Sequence, residues 1–328
     1  MNKKFIEEEV TILTPIKIRG TISFPEEIKI SPAGEPHKNA QCPAILFIGG
    51  SGEVDRNENH RKVKINTFKL LAEVINDAGL AVLRYDKRGV GESEGNYLET
   101  GFWDFVFDAE KVLTFLKSYH GINPDKIYIL GHSEGAILAA VVNQKNPVHG
   151  LILISGVAES LRQTIKRQSE MALWELSNTG GLKGFLFRVL NLKEKAQKRI
   201  EKLHNKILDS NAAVMRVGFK KINAKWMREH FLYNVEEALK CVTCPTLVIA
   251  GDKDIQTPPE QAKTIAELVK GKVQWHIIED MNHILREERG KPSILSAFKR
   301  YREQEAEPLH HELVELLKSW LMEEAKNE

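Results

Sequence analysis

Cysteine is scarce in this chain, with three in 328 residues, which is too few for a disulfide framework. Cys241 and Cys244 form a lone C-x-x-C. Neither a second pair nor a thioredoxin-like βαβ unit accompanies it, so zinc and redox readings give way to packing. Long apolar runs are missing too, and none approaches the roughly 20 residues that a bilayer span needs. One-sided charge is also absent. Lys and Arg number 47 against 45 Asp and Glu, and the net +2 gives no overall reason to expect nucleic acid or a membrane surface as partner. The first residues, Met1–Glu9, turn acidic before any apolar segment forms. No secretory leader is therefore expected, and the expected compartment is the cytoplasm. No internal repeat or low-complexity tract appears.

What is present is organised around Lys126–Ala140, K-I-Y-I-L-G-H-S-E-G-A-I-L-A-A. A β-branched run, Ile127–Leu130, meets Gly131-His132-Ser133-Glu134-Gly135, and a small-residue apolar run follows. The pattern G-x-S-x-G between a strand and a helix is that of a nucleophile elbow. The turn strains the serine backbone, and the flanking glycines leave out the Cβ atoms that would collide with neighbouring elements.

The rest of the chain supplies the frame. Val10–Phe24 alternates and breaks at Pro15, which suits an antiparallel hairpin at a sheet edge, and Pro25–Gln41 reads as an exposed loop. Strands are predicted at Ala44–Ile48, Leu80–Arg84, Ile127–Leu130, Leu151–Ile154, Thr246–Ala250 and Val273–Ile278. Helices are predicted around Phe68–Ile75, Phe102–Tyr119, Pro259–Val269 and Leu309–Met322. This alternation predicts an α/β protein with a doubly wound, mostly parallel sheet, whose ligands gather at the carboxyl ends of the strands. Between Gly156 and Lys240 the rhythm stops, leaving helical patches and no convincing strand. Because it resumes afterwards, 156–240 is expected to be an inserted helical cap on a core made of 1–155 and 241–328. The insertion holds 17 Lys and Arg against nine Asp and Glu. Its apolar residues, among them Trp174, Phe185, Leu186, Phe187 and Trp226, are expected mainly to dock the cap, with Gly180, Gly181 and Gly184 as a candidate hinge. Arg286–Glu307 reads as a long polar connection with room for a helical turn.

Serine needs a base to take its proton and an acid to orient that base, and in this kind of sheet the chain order is serine, acid, histidine. Asp252 and Asp254 compete in the loop after Thr246–Ala250, and Asp254 is preferred as the one farther out. His283 lies past the end of the last strand on the same rim as Ser133, whereas His276 lies within the strand. An oxyanion needs two N–H donors. Glu134 offers one as the residue after the nucleophile, and Ser51, in Gly49-Gly50-Ser51-Gly52, offers the other. A phosphate cradle is excluded for this loop, since no Gly-Lys-Ser/Thr follows and no helix starts directly after the glycines. Arg56, Asp86 and Arg88 are expected to tie rim loops together by ion pairs.

Gly-Gly-Ser-Gly followed by Asp55-Arg56-Asn57, Asp86-x-Arg88-Gly89-x-Gly91-x-Ser93, Gly-His-Ser-Glu-Gly, Gly-Asp-x-Asp254 and Asn282-His283 together resemble the α/β-hydrolase superfamily. Within it the chain looks most like bacterial carboxylesterases of the serine aminopeptidase-like and dienelactone hydrolase-like branches, from about Val10 to Leu321. One departure is that no histidine precedes the glycine pair. The resemblance implies a Ser133–His283–Asp254 triad, an oxyanion hole at Ser51 and Glu134, and a helical cap; the residues themselves show no metal constellation and no sign of a bound cofactor. It implies hydrolysis of a small-molecule carboxylic ester through an acyl-enzyme. Thioester or small-amide hydrolysis by the same machinery and a non-catalytic binding protein on this fold are the alternatives. Substrate and oligomeric state are not legible from these residues.

Overall fold

In the computed structural model, the described residues are 5–26, 41–181 and 189–326. Phe185, Leu186, Phe187 and Gly184, and most of the loop expected between Pro25 and Gln41, lie outside them.

Eight strands form the main sheet. β1 (Phe5–Leu13) and β2 (Lys17–Pro25) are the antiparallel edge hairpin. Inside it run β3 (Cys42–Ile48), β4 (Ala81–Tyr85), β5 (Ile122–His132), β6 (Gly150–Ile154), β9 (Thr246–Gly251) and β10 (Val273–Ile278), all parallel to one another. Their order across the sheet is β1-β2-β4-β3-β5-β6-β9-β10. The inner strands are buried on both faces, so their apolar runs split by parity between two cores. Ala44, Leu46, Ile48, Ile127 and Ile129 face α2 (Phe102–Ser118) and α3 (Glu134–Lys145). Ile45, Phe47, Tyr128 and Leu130 face α1 (Thr67–Asp77) and a long C-terminal helix, His311–Lys326, with Leu317 and Trp320 in the same cluster. α3 is buried on nearly every side, from Glu134 to Asn143, which explains why its sequence carries no amphipathic stripe.

The insertion between β6 and β9 holds α4 (Leu161–Ser177), α5 (Leu192–Leu208), a two-stranded hairpin of β7 (Val214–Val217) and β8 (Lys220–Asn223), α6 (Ala224–Leu232) and α7 (Val235–Lys240). The hairpin corrects the expectation that no strand occurs here. Its strands are short and charged, bury almost nothing and turn at Gly218, whose φ is 60°, so no alternation marks them. At the end of the insertion, Val235, Ala238 and Leu239 of α7 join the core cluster that also holds α3.

The insertion is fastened to the core at several points. Asn223 Nδ2 donates to the Tyr97 and Thr100 carbonyls at 2.7 and 2.6 Å, and Lys225 pairs with Asp104 at 2.7 Å. Gln168 Nε2 reaches the Gln256 carbonyl at 2.9 Å, and Glu175 accepts from Ser293 Oγ at 2.7 Å. Beyond β9, α8 (Gln261–Leu268) returns to the sheet, and α9 (Ala297–Glu303) is the helical part of the long polar connection. The C-terminal helix is α10. No helix among the described residues is long and apolar enough to cross a membrane. The three cysteines are free, and burial pushes the Cys42 thiol up to about 11.

Candidate active site

β5 runs directly into α3 with only Ser133 between them, at φ 55° and ψ −119°. Such a conformation is costly for a residue with a Cβ and is held by its surroundings. Ser133 N–H bonds the Ile154 carbonyl at 2.9 Å. A Cβ on Gly131 would stand 2.2 Å from the Gly135 carbonyl oxygen, and one on Gly135 would stand 1.9 Å from that of Ile48. Both motif glycines are therefore steric requirements. Gly50 is the third close approach, since a Cβ there would lie 3.2 Å from that of Ser133.

Asp254 is buried at the end of β9, and both its oxygens are used. Oδ1 accepts the N–H groups of Gln256 and Thr257 at 2.8 and 3.0 Å. Oδ2 accepts Thr257 Oγ1 at 2.7 Å and pairs with His283 Nδ1 at 2.8 Å. Burial pushes the Asp254 carboxyl up, but the His283 charge and these hydrogen bonds outweigh it and hold the group below its ordinary value. Asp252, the competitor, is exposed and sits in an ion pair with Lys253 at 2.9 Å.

Ser133 and His283 line one cavity of about 170 Å³ together with Gly50, Ser51, Glu58 and His132. No hydrogen bond joins Ser133 Oγ to His283 among the described residues; in ligand-free sites this contact is often loose. The apolar lining comes from Val54, Val63, Ile65, Ile284, Phe298 and Tyr301, all from core loops and α9. None of the insertion's described residues lines the cavity. Trp174, Leu176, Val189, Leu190 and Phe219 of the insertion are exposed, so Trp174 does not dock it on the core as expected.

The glycine loop after β3 is fixed from three sides. Gly50 N–H donates to Glu58 Oε1 at 3.0 Å and Gly52 N–H to Tyr97 Oη at 3.0 Å. Lys87 Nζ donates to the Gly50 carbonyl and, at 2.7 Å, to that of Gly52. Lys87 is buried, with its ammonium 5.9 Å from the Tyr97 ring centre, and burial lowers its pKa against the pull of Glu134 and Glu58. Among the described residues, the N–H groups left without a partner beside Ser133 include those of Ser51 and Glu134.

The rim ion pairs are formed. Arg56 bonds Asp86 at 2.8 Å and Glu92 at 2.6 Å and also reaches Glu9, while Arg88 pairs with Asp108 at 2.6 Å. Sequence reasoning missed Glu58, Lys87, Tyr97 and the side chain of His132. Only His132 carried a signal, its place inside the elbow motif.

A strand–serine–helix elbow on the carboxyl rim of this sheet, beside a histidine held by a buried aspartate, defines an α/β hydrolase. More narrowly, the chain belongs to the Hydrolase_4 family (serine aminopeptidase, S33), whose model matches residues 38–290. Esterase EstD of Thermotoga maritima is 25% identical over 272 residues, which cover 81% of this chain and 60% of that protein. The lysophosphatidylserine lipase ABHD12 of Xenopus tropicalis is 32% identical over 118 residues, which cover 34% of this chain and 27% of the relative. The chain therefore matches about three fifths of the length of the first relative and about a quarter of the second. Among solved structures, Est1E from Butyrivibrio proteoclasticus superposes with a TM-score of 0.60 at 16% identity, covering 97% of this chain and 99% of that one. Esterase Pf2001 of Pyrococcus furiosus gives 0.57 at 15% identity over 99% and 92%.

Proposed function

We propose that this chain is a serine hydrolase that cleaves small carboxylic esters through an acyl-enzyme on Ser133. The observation that carries this reading is the buried Asp254–His283 hydrogen bond at the wall of the cavity that also holds Ser133. His283 Nε2 takes the Ser133 proton as Oγ attacks the ester carbonyl. Asp254, kept ionised, accepts Nδ1–H, fixes the tautomer and stabilises the imidazolium that forms. The tetrahedral oxyanion is received by the Ser51 and Glu134 N–H groups, the latter at the N-terminus of α3. The imidazolium then protonates the leaving alcohol, and water, deprotonated by the same ring, releases the acid.

A cavity of about 170 Å³ with an apolar wall suits a short acyl or small aryl group better than a long chain. The relative named as an esterase supports ester hydrolysis as the reaction. The insertion serves as a cap over the strand ends, its position set by the bonds to 97–104, Gln256 and Ser293. A fluorophosphonate should label wild type at Ser133 and leave Ser133→Ala unlabelled. p-Nitrophenyl esters from C2 to C12, run beside thioester and amide analogues, should show the highest kcat/KM at the short end. A chain that neither takes the label nor turns over any of these would be a binding module instead.

A further inference from the structure

Glu58 stands in the turn after the glycine loop with a left-handed backbone, φ 62°. Asp55 builds that turn by accepting the N–H groups of Asn57 and Asn59 at 2.9 Å each. The turn aims Arg56 outward to the rim carboxylates and Glu58 inward. Glu58 Oε1 receives Gly50 N–H at 3.0 Å and lies 2.7 Å from His132 Nδ1. The other nitrogen of that ring, Nε2, lies 2.9 Å from the main-chain carbonyl of His283. An unbroken line of hydrogen bonds thus joins the loop after β3 to the loop after β10, across the end of the strand that carries Ser133.

We propose that Glu58 and His132 are positioning residues, an imidazolium–carboxylate pair that clamps the oxyanion loop to the loop of the histidine base. The proposal rests on the serine-hydrolase reading above. A carbonyl oxygen can only accept, so Nε2 carries a proton. Oε1 already accepts from Gly50, and a bare Nδ1 lone pair facing it at 2.7 Å would repel it, so a second proton lies between them. Imidazole is the stronger base of the two and holds it. The charges facing the pair are Lys87 from the loop after β4, Asp254 from the loop after β9, and His283 and Arg286 from the loop after β10. Burial opposes ionisation of both partners, yet their mutual attraction prevails, so the Glu58 carboxyl is held low and the His132 imidazole high. The line meets the proposed machinery at two places. Gly50 precedes the Ser51 N–H and packs on Ser133, and the His283 carbonyl belongs to the base itself.

A bracing role for the fold and a clamp on catalysis differ in their response to pH. In Glu58→Gln, the amide oxygen can still accept from Gly50, but no charge holds the second proton on His132. Above about pH 6.5, the reference value for histidine, the ring becomes neutral. It then drops the new amide oxygen or the His283 carbonyl; if the amide flips to donate to Nδ1, Gly50 loses its acceptor instead. Each way, one bond of the line breaks.

The measurement is kcat and KM for a short p-nitrophenyl ester between pH 6 and 9, on wild type, Glu58→Gln and His132→Phe. Glu58→Gln should lose about 10–100-fold in kcat at pH 8, with KM little changed, and recover towards wild type as pH falls. Wild type should show no such alkaline loss, and His132→Phe should be low throughout. A Glu58→Gln profile parallel to wild type overturns the clamp. Should either variant fail to fold, 15N-edited spectra of the intact wild type decide. The ring in contact with Phe68 should carry protons on both nitrogens at pH 8, and a single proton there overturns the proposal. Fluorophosphonate labelling of wild type separates the two levels. A labelled wild type with a parallel Glu58→Gln profile removes only the clamp, whereas an unlabelled wild type removes the hydrolase reading and the clamp's catalytic role with it.

Discussion

Trp226, on the insertion, donates its indole N–H to Glu134 Oε1 at 2.6 Å, so α6 is bonded to the residue that follows the candidate nucleophile. Glu134 is buried, its other oxygen has no hydrogen-bond partner among the described residues, and His230 Nε2 lies 3.6 Å from Oε1. The bond is therefore the main polar compensation of an enclosed side chain at the start of α3. It also gives the insertion a direct hold on the N–H proposed to receive the oxyanion.

Trp226→Phe tests that hold. Keeping an aromatic ring preserves most of the packing while stranding Glu134, and a buried acceptor left without its donor costs about 1–3 kcal/mol. The urea midpoint should drop accordingly, and kcat for a short ester should drop with it. Trp226→Phe combined with Glu134→Gln should recover part of the stability. An unchanged midpoint in the single variant would mean that water replaces the indole freely and that the insertion is not held here.

The proposed triad makes a second, sharper prediction. Ser133→Ala and His283→Ala should each cost about 10⁴–10⁶-fold in kcat, with the double variant little worse, because the groups act as a unit. Asp254→Asn should lose about 10⁴-fold, since an amide can present its N–H₂ to His283 and favour the wrong tautomer. Asp252→Asn removes only an exposed partner of Lys253 and should leave kcat and the unfolding midpoint near wild type. The reverse ranking of the two aspartates, read from single-turnover rates, would transfer the orienting role to Asp252.

Much of this was legible in the sequence because sterics or topology leave few choices. The elbow glycines are forced by contacts of 1.9 and 2.2 Å, and the inner strands by burial on two faces. Glu58 was not legible. Its function depends on a left-handed turn that aims it inward at His132, and one acid in a polar loop carries no periodic signal. In Arg286–Glu307 the helical turn was legible, but its role at the cavity was not. α9 turns Phe298 and Tyr301 to the cavity at a three-residue spacing, but two apolar residues among charges fall short of an amphipathic pattern.

Stability should depend on pH with opposite signs on the two sides. The Asp254 and Glu58 carboxyls are held below their ordinary values of 3.8 and 4.5. Their contributions are complete above those values and are lost as pH falls through the lowered ones. The His132 imidazole is held above its ordinary 6.5, so its contribution is complete below 6.5 and is lost as pH rises through the raised value. Urea midpoints taken from pH 2 to 10 should trace a dome. Asp254→Asn should flatten its acid limb, and His132→Phe its alkaline limb. An alkaline limb that survives in His132→Phe would assign it to other groups.

The insertion's positive excess supports a last prediction, about substrate approach, and its lysines are not equivalent. Lys225 is occupied, bonded to Asp104 on α2, so reversing it would break a fastening of the cap. Lys220 and Lys221 lie exposed on the β7–β8 hairpin, and reversing them leaves that fastening intact. Long-range attraction acts on encounter and is screened within about 8–10 Å at ordinary salt. If this face steers substrate, kcat/KM for an anionic short ester should fall as ionic strength rises, while that for a neutral ester of equal length stays level. Lys220→Glu with Lys221→Glu should abolish the difference and leave kcat for the neutral ester unchanged. Equal salt dependence for both esters would make the excess charge an ordinary solvated surface. A loss of neutral-ester kcat in the double reversal would point instead to the hairpin's hold on Tyr97 and Thr100 through Asn223.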